Sequence, residues 1–106
     1  MEILANFSPT PPPLTADLTH PVWQAATPLS LAYNWRGEAA PEELETVARV
    51  LWTLQELIFG YECKYTELDV DEQFCVNEER HALWDRDVCE AFVRSPLEPD
   101  YRIYKE

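Results

Sequence analysis

The sequence predicts a mainly β protein, and three runs of residues predict it. Between Val88 and Val93 the side chains Val88, Glu90 and Phe92 fall on one strand face, and Cys89, Ala91 and Val93 on the other. Both faces are largely apolar, which suits an inner strand of a sandwich. Leu57, Phe59, Tyr61, Cys63 and Tyr65 alternate with Ile58, Gly60, Glu62 and Lys64, an aromatic-rich period of two. The ending YRIYKE alternates in the same way, as the beginning of a further strand.

The chain has 106 residues, room for one small domain. With 46% hydrophobic and 12% aromatic residues it holds ample material for a core. Twenty acids against eight bases leave a formal charge of −12. That field repels polyanions and so argues against nucleic acid and anionic membranes. Neutral ligands such as sugars, cations and basic proteins remain compatible. No run reaches transmembrane length, and the first residues lack the basic and apolar regions of a signal peptide. A soluble chain without a visible export signal is the expectation.

Residues 1–14 contain SPTPPP and read as an extended proline-rich arm, a linker or a surface strap, because proline fixes φ and removes a donor. Asp17 to His20 suggests a turn. Pro21 suits the start of a helical turn whose buried side is Val22, Trp23 and Ala26. Leu29 to Tyr33 is a short strand, and Asn34 to Pro41 a loop around Gly37. Two readings of Pro41–Tyr65 compete. Leu44, Val47, Leu51, Leu54, Ile58 and Tyr61 keep a heptad-like spacing after a Pro-Glu-Glu start, which favours a long amphipathic helix. The strand residues of Thr46–Trp52, the period of two after Leu57, and Gly60 favour two strands with a turn at Thr53–Glu56.

ELDVDEQ, Glu67 to Gln73, is a solvated acidic loop in the plainer reading and a calcium site in the sharper one. Asp69, Asp71 and Glu72, with Glu67, would supply the hard oxygen ligands. The glycine-centred pattern of helix-loop-helix calcium sites is absent. Cys63, Cys75 and Cys89 have no CxxC spacing and read as buried small hydrophobes, with one disulfide open to them in an oxidising compartment. Zinc lacks a fourth ligand.

The segment ALWDRDVCEAFV, Ala82 to Val93, contains the candidate site. Trp84 stands at the mouth of a turn, Asp85 and Asp87 follow, and Glu90 lies among apolar neighbours where an unpartnered carboxylate is costly. An open indole face and an aimed carboxylate are what a sugar ring needs, stacking for its axial hydrogens and acceptors for its hydroxyls.

Four blocks resemble family 9 carbohydrate-binding modules in order along the chain. They are DLTHPVWQAATPLSL, ETVARVLWTLQELIFGYEC, ALWDRDVCEAFV and YRIYKE, spanning Asp17 to Glu106, and the third is the most diagnostic. The resemblance implies an antiparallel β-sandwich of jelly-roll type over residues 15–106, incomplete at its C-terminal end. It resolves Pro41–Tyr65 in favour of two strands. It also implies binding of mono- or oligosaccharides between two tryptophans, often at chain ends, with calcium bracing loops. Trp84 would then be one wall of the slot and Glu90 an acceptor of hydroxyl hydrogen bonds. Asp87 would hold the turn or bind a loop cation, while Trp23 and Trp52 would be core residues. Family domains are longer and carry the second tryptophan beyond the segment matched here. The expectation is a truncated product, or a half-domain that self-associates or is completed by another chain through open strand edges. Family members are often extracellular.

The leading expectation is therefore a non-catalytic carbohydrate-binding domain. The alternative is an acidic β-sandwich scaffold that binds a basic partner and no sugar. Catalysis is not expected: Asp87 and Glu90 differ in strand parity, and His20 and His81 have no obvious partners.

Overall fold

The computed structural model describes residues 2–34, 36–73, 75, 77–78, 80–97 and 104–105. The chain is mainly β. Among the described residues the only helical elements are short 3-10 turns at Pro21–Ala25, Glu42–Leu44 and Leu83–Asp85. No helix of the described residues is long and apolar enough to cross a membrane. The chain divides into two compact units, Met1–Thr66 and Glu67–Glu106.

In the first unit, β1 (Asn6–Phe7), β2 (Leu29–Leu31), β3 (Thr46–Trp52) and β4 (Leu57–Cys63) form one sheet built around β3. β3 and β4 are an antiparallel hairpin in register from Thr46↔Cys63 to Trp52↔Leu57. The helical reading of this segment is thus overturned. Thr53 closes the turn: its Oγ1 accepts from Gln55 N at 3.2 Å and Glu56 N at 3.0 Å, and its N–H donates to Glu56 O at 2.9 Å. On β3's other edge, β2 pairs antiparallel with Thr46–Ala48 and β1 pairs parallel with Leu51–Trp52. The sheet is therefore mixed rather than antiparallel throughout. The expected strand Leu29–Tyr33 ends at Leu31, and Tyr33 instead bridges Ala39 across the loop. Asn34 closes that loop by accepting from Arg36 N and Glu38 N, and Gly37 takes φ +80°, which disfavours side chains.

The main hydrophobic cluster lies on one face of the sheet, and Ala48 is buried on the other. Leu51 is fully buried and stands opposite Ile58, while Trp23 and Ala26 cover them with Leu18 and Val22 beside them. Trp23 and Ala26 are delivered by the Pro21–Ala25 turn as the sequence predicts. Pro21 occupies a first-turn position, and His20 Nδ1 caps the turn by accepting from Val22 N at 3.3 Å. His20 therefore has a structural partner that the sequence did not reveal. The benzo edge of Trp23 lies against Gly60, where a side chain would meet Cη2 at 2.8 Å. Gly60 is a close-approach position, which explains a glycine inside a strand.

The proline-rich arm is a strap joined to this unit. Ser8 N donates to Trp52 O at 2.8 Å, Asn6 Nδ2 donates to Ala25 O, and Pro12 is buried. Trp52, expected in the core, is 41% exposed. It lies on the sheet face opposite Leu51, tilted against Phe7 with ring centroids 4.7 Å apart, and its Nε1 donates to Ala5 O at 3.1 Å. Period-two alternation makes this unavoidable once Leu51 faces inward.

The cysteines also depart from expectation. Cys63 and Cys75 are exposed, and Cys89 is half-buried. Cys63 closes β4 where the chain leaves the sheet, and Cys75 belongs to no strand, so neither packs as a core hydrophobe. At the same end of the hairpin, Glu45 accepts from Lys64 Nζ at 3.0 Å and from Ser30 Oγ at 2.8 Å. Lys64's hydrogen bond first, and Ser30's second, hold the Glu45 carboxyl below the usual carboxylate range.

Candidate functional site

The second unit contains the residues that the sequence marks as a site. Trp84 occupies the middle of the Leu83–Asp85 turn and is 54% exposed. The turn is entered through Ala82, a non-glycine residue in the left-handed region at φ 61°, ψ 39°. Asp85 N then donates to Ala82 O and Arg86 N to Leu83 O, both at 3.1 Å. Left-handed geometry costs an alanine of the order of 1 kcal/mol, so tertiary context must hold it. Ala82→Gly is expected to stabilise this unit by about 0.5–1 kcal/mol, the relief of strain being offset in part by unfolded-state entropy. Urea denaturation checks it, and a loss of stability would contradict the left-handed geometry.

His81 and Trp84 form a T-shaped pair, with ring centroids 5.4 Å apart and planes at 79°. Edge-to-face geometry of this kind is favourable for aromatic pairs. His81 is thus a neighbour that sequence reasoning missed. No periodicity links it to Trp84, because the left-handed residue between them reverses the local path.

Asp87 is drawn to the acidic loop. Its Oδ2 accepts from Asp69 N at 2.8 Å, and its own N–H donates to Asp69 O at 3.1 Å. One residue is thereby clamped to the backbone of another eighteen positions earlier. The Asp69 carboxylate faces Arg86, whose guanidinium donates to Oδ1 and is raised further above its ordinary value by that bond. Asp71 pairs with Arg80 at 3.3 Å. Of the four candidate calcium ligands, Asp69 and Asp71 therefore face arginines, while Glu67 and Glu72 are exposed. Among the described residues, no three acid, histidine or cysteine side chains gather as a metal would need. Sequence reasoning overlooked the two arginines. The signal was present in Asp85-Arg86-Asp87, where a base sits between acids beside an acid-rich loop.

The strand expected from Val88 begins only at β5 (Phe92–Val93), which pairs antiparallel with β6 (Tyr104–Lys105). Residues 88–91 have no regular structure, Val88 is 42% exposed and Phe92 63% exposed. The expected inner strand with two apolar faces is thus corrected. The clamp on Asp87 dictates the local path, so pairing starts only after the chain has left that turn. Glu90 lies in this irregular run and is half-buried, next to buried Ala91. Of the final expected strand, Tyr104 and Lys105 are paired; Tyr101, Arg102, Ile103 and Glu106 lie outside the described residues.

The arrangement joins Trp84 to His81 and Asp87 to Asp69, with Glu90 following three residues after the clamp. No protein-family model matches the chain, and neither a curated protein nor a solved structure matches it. The chemistry of the site therefore rests on the geometry of its own residues.

Proposed function

We propose that this chain is a non-catalytic carbohydrate-binding domain, with Trp84 as the platform for a sugar ring. The observation behind this reading is a tryptophan left 54% exposed on a hydrogen-bonded turn. A large aromatic surface placed in water without burial is costly, and its natural occupant is a ligand with an apolar face and a polar rim. Sugar rings have that shape. Their axial C–H groups stack on the indole, and their hydroxyls need acceptors nearby.

Within this reading each residue has one task. Trp84 stacks, His81 packs against it, and Glu90 accepts hydroxyl hydrogen bonds. Asp87 holds the turn through Asp69. The finer architecture that accompanies the proposal is a jelly-roll β-sandwich of the family 9 carbohydrate-binding type. Support comes from the β3–β4 hairpin, its Thr53–Glu56 turn and the inward Trp23, which sit where the resemblance puts them.

Titration with a panel of mono- and disaccharides, read by calorimetry and thermal melting, tests it. At a hundredfold excess over the dissociation constant, a binding sugar adds about 2.7 kcal/mol, a rise on the order of ten degrees for a domain of this size. Trp84→Ala is expected to abolish the response while leaving the fold intact, because the side chain is exposed. A folded protein indifferent to every sugar overturns the proposal.

A further inference from the structure

The turn that carries Trp84 belongs to a stretch whose charge is of one sign. Residues 67–106 hold twelve acids against five bases, a formal charge of −7. The two arginines closest to Trp84 along the chain are already committed. Arg86 donates to the Asp69 carboxylate, and Arg80 pairs with Asp71 at 3.3 Å. Asp85, the residue that follows Trp84, is exposed, and its carboxylate has no hydrogen bond or ion pair among the described residues. Arg86 feels the charge of Asp85 but gives its hydrogen bond to Asp69. An open indole and an uncommitted carboxylate thus stand on consecutive residues of one turn.

We propose that the Trp84 site selects amino sugars, rings bearing an ammonium, over neutral sugars and against uronic acids. This inference rests on the sugar-binding reading above and adds to it the charge of the ligand. Consecutive Cα atoms lie about 3.8 Å apart, so the Asp85 carboxylate is within roughly a Debye length, about 10 Å at 0.1 M, of a ring on the indole. An ammonium on that ring gains twice, from the carboxylate and from the negative face of the indole. A hydroxyl at the same ring position gains only the weaker of these, a hydrogen bond without charge on the donor. The carboxylate of a uronic acid meets repulsion from Asp85 and from the acidic field around it. An exposed ion pair together with an exposed cation–π contact corresponds to about three- to thirtyfold in affinity.

Calorimetry of the full chain near neutral pH tests it with glucosamine, glucose, N-acetylglucosamine and glucuronate, at low and high sodium chloride. At low salt glucosamine is expected to bind about fivefold or more tighter than glucose, and glucuronate most weakly. N-acetylglucosamine, which has bulk at the same position but no charge, is expected to follow glucose. Salt at 1 M shortens screening to about 3 Å and is expected to cut the preference for glucosamine at least by half. Asp85→Asn is expected to do the same at low salt, read as the ratio of the two affinities. An unchanged melting temperature shows that this variant keeps its turn. Ethanolamine, an ammonium without a ring, is expected not to bind measurably, which separates a built site from attraction to a chain of charge −12. Equal binding of glucose and glucosamine at low salt overturns this inference and leaves the sugar-binding reading standing. A preference that survives both salt and Asp85→Asn, or ethanolamine binding as tightly as glucosamine, overturns it equally. A folded chain indifferent to all four sugars overturns the sugar-binding reading, and this inference with it.

Discussion

Leu51→Ala is expected to destabilise the first unit by about 2–5 kcal/mol, measured by urea denaturation. Among the described residues Leu51 is the one large side chain with no exposure at all, and it is surrounded by Trp23, Ala26 and Ile58. Its removal costs the transfer free energy of the lost methyl and methylene groups and leaves a void. The void closes poorly here because its walls are a rigid indole and two hydrogen-bonded strands. A small domain has only several kcal/mol in total, so the variant should be largely unfolded at ordinary temperature. Trp52→Ala provides the contrast. It sits one residue away on the other face, 41% exposed, and its loss should be smaller. Equal losses at the two positions would mean that the sheet's inner and outer faces are misassigned.

Gly60→Val is the second large effect, expected at about 3 kcal/mol. A Cβ at this position would lie 2.8 Å from Trp23 Cη2, 2.9 Å from Leu18 Cδ2 and 3.1 Å from Trp23 Cζ3. Leu18 can swing aside, but the indole is 5% exposed and boxed in by the core. Against this stands a gain of up to about 1 kcal/mol, because any side chain reduces the freedom of the unfolded strand. Valine also prefers strands, and the clash still wins. The decisive measurement is a double-mutant cycle with Trp23→Leu, which vacates the space over residue 60. Coupling of 1 kcal/mol or more is expected, since residues in contact fail to add. Additive losses would show that the indole does not rest on Gly60.

What could be read from the sequence follows from how local each determinant is. Pro21 with Val22, Trp23 and Ala26 is legible because a single turn brings those residues to one side. The hairpin was ambiguous on periodicity, since Leu44, Leu51 and Ile58 satisfy a heptad while Leu57 to Tyr65 satisfy a strand. Pattern alone leaves that choice even, and the physical reason for Gly60, the approach of Trp23, is visible only in three dimensions. Trp52 was misplaced because tryptophan's preference for burial says nothing about which face of a strand it occupies. In the second unit Trp84 is legible as an exposed residue on a turn, yet Val88–Val93 misled. Its alternation was real in the letters, but the clamp between Asp87 and Asp69 keeps the backbone from extending there. The parallel pairing of β1 was invisible, as two residues offer no pattern and their partner lies 45 positions away.

That parallel pairing also has a consequence in time. β3 and β4 are joined by four residues, so they can meet as soon as both exist. Asn6 must wait for Leu51. At ordinary synthesis speeds the intervening chain takes roughly 2–9 s to appear, whereas a hairpin forms in microseconds. Of the four strands in this sheet, β1 is made first and waits longest for its partner. For those seconds the arm's prolines, which have no N–H to offer a wrong partner, keep the waiting segment out of premature pairing.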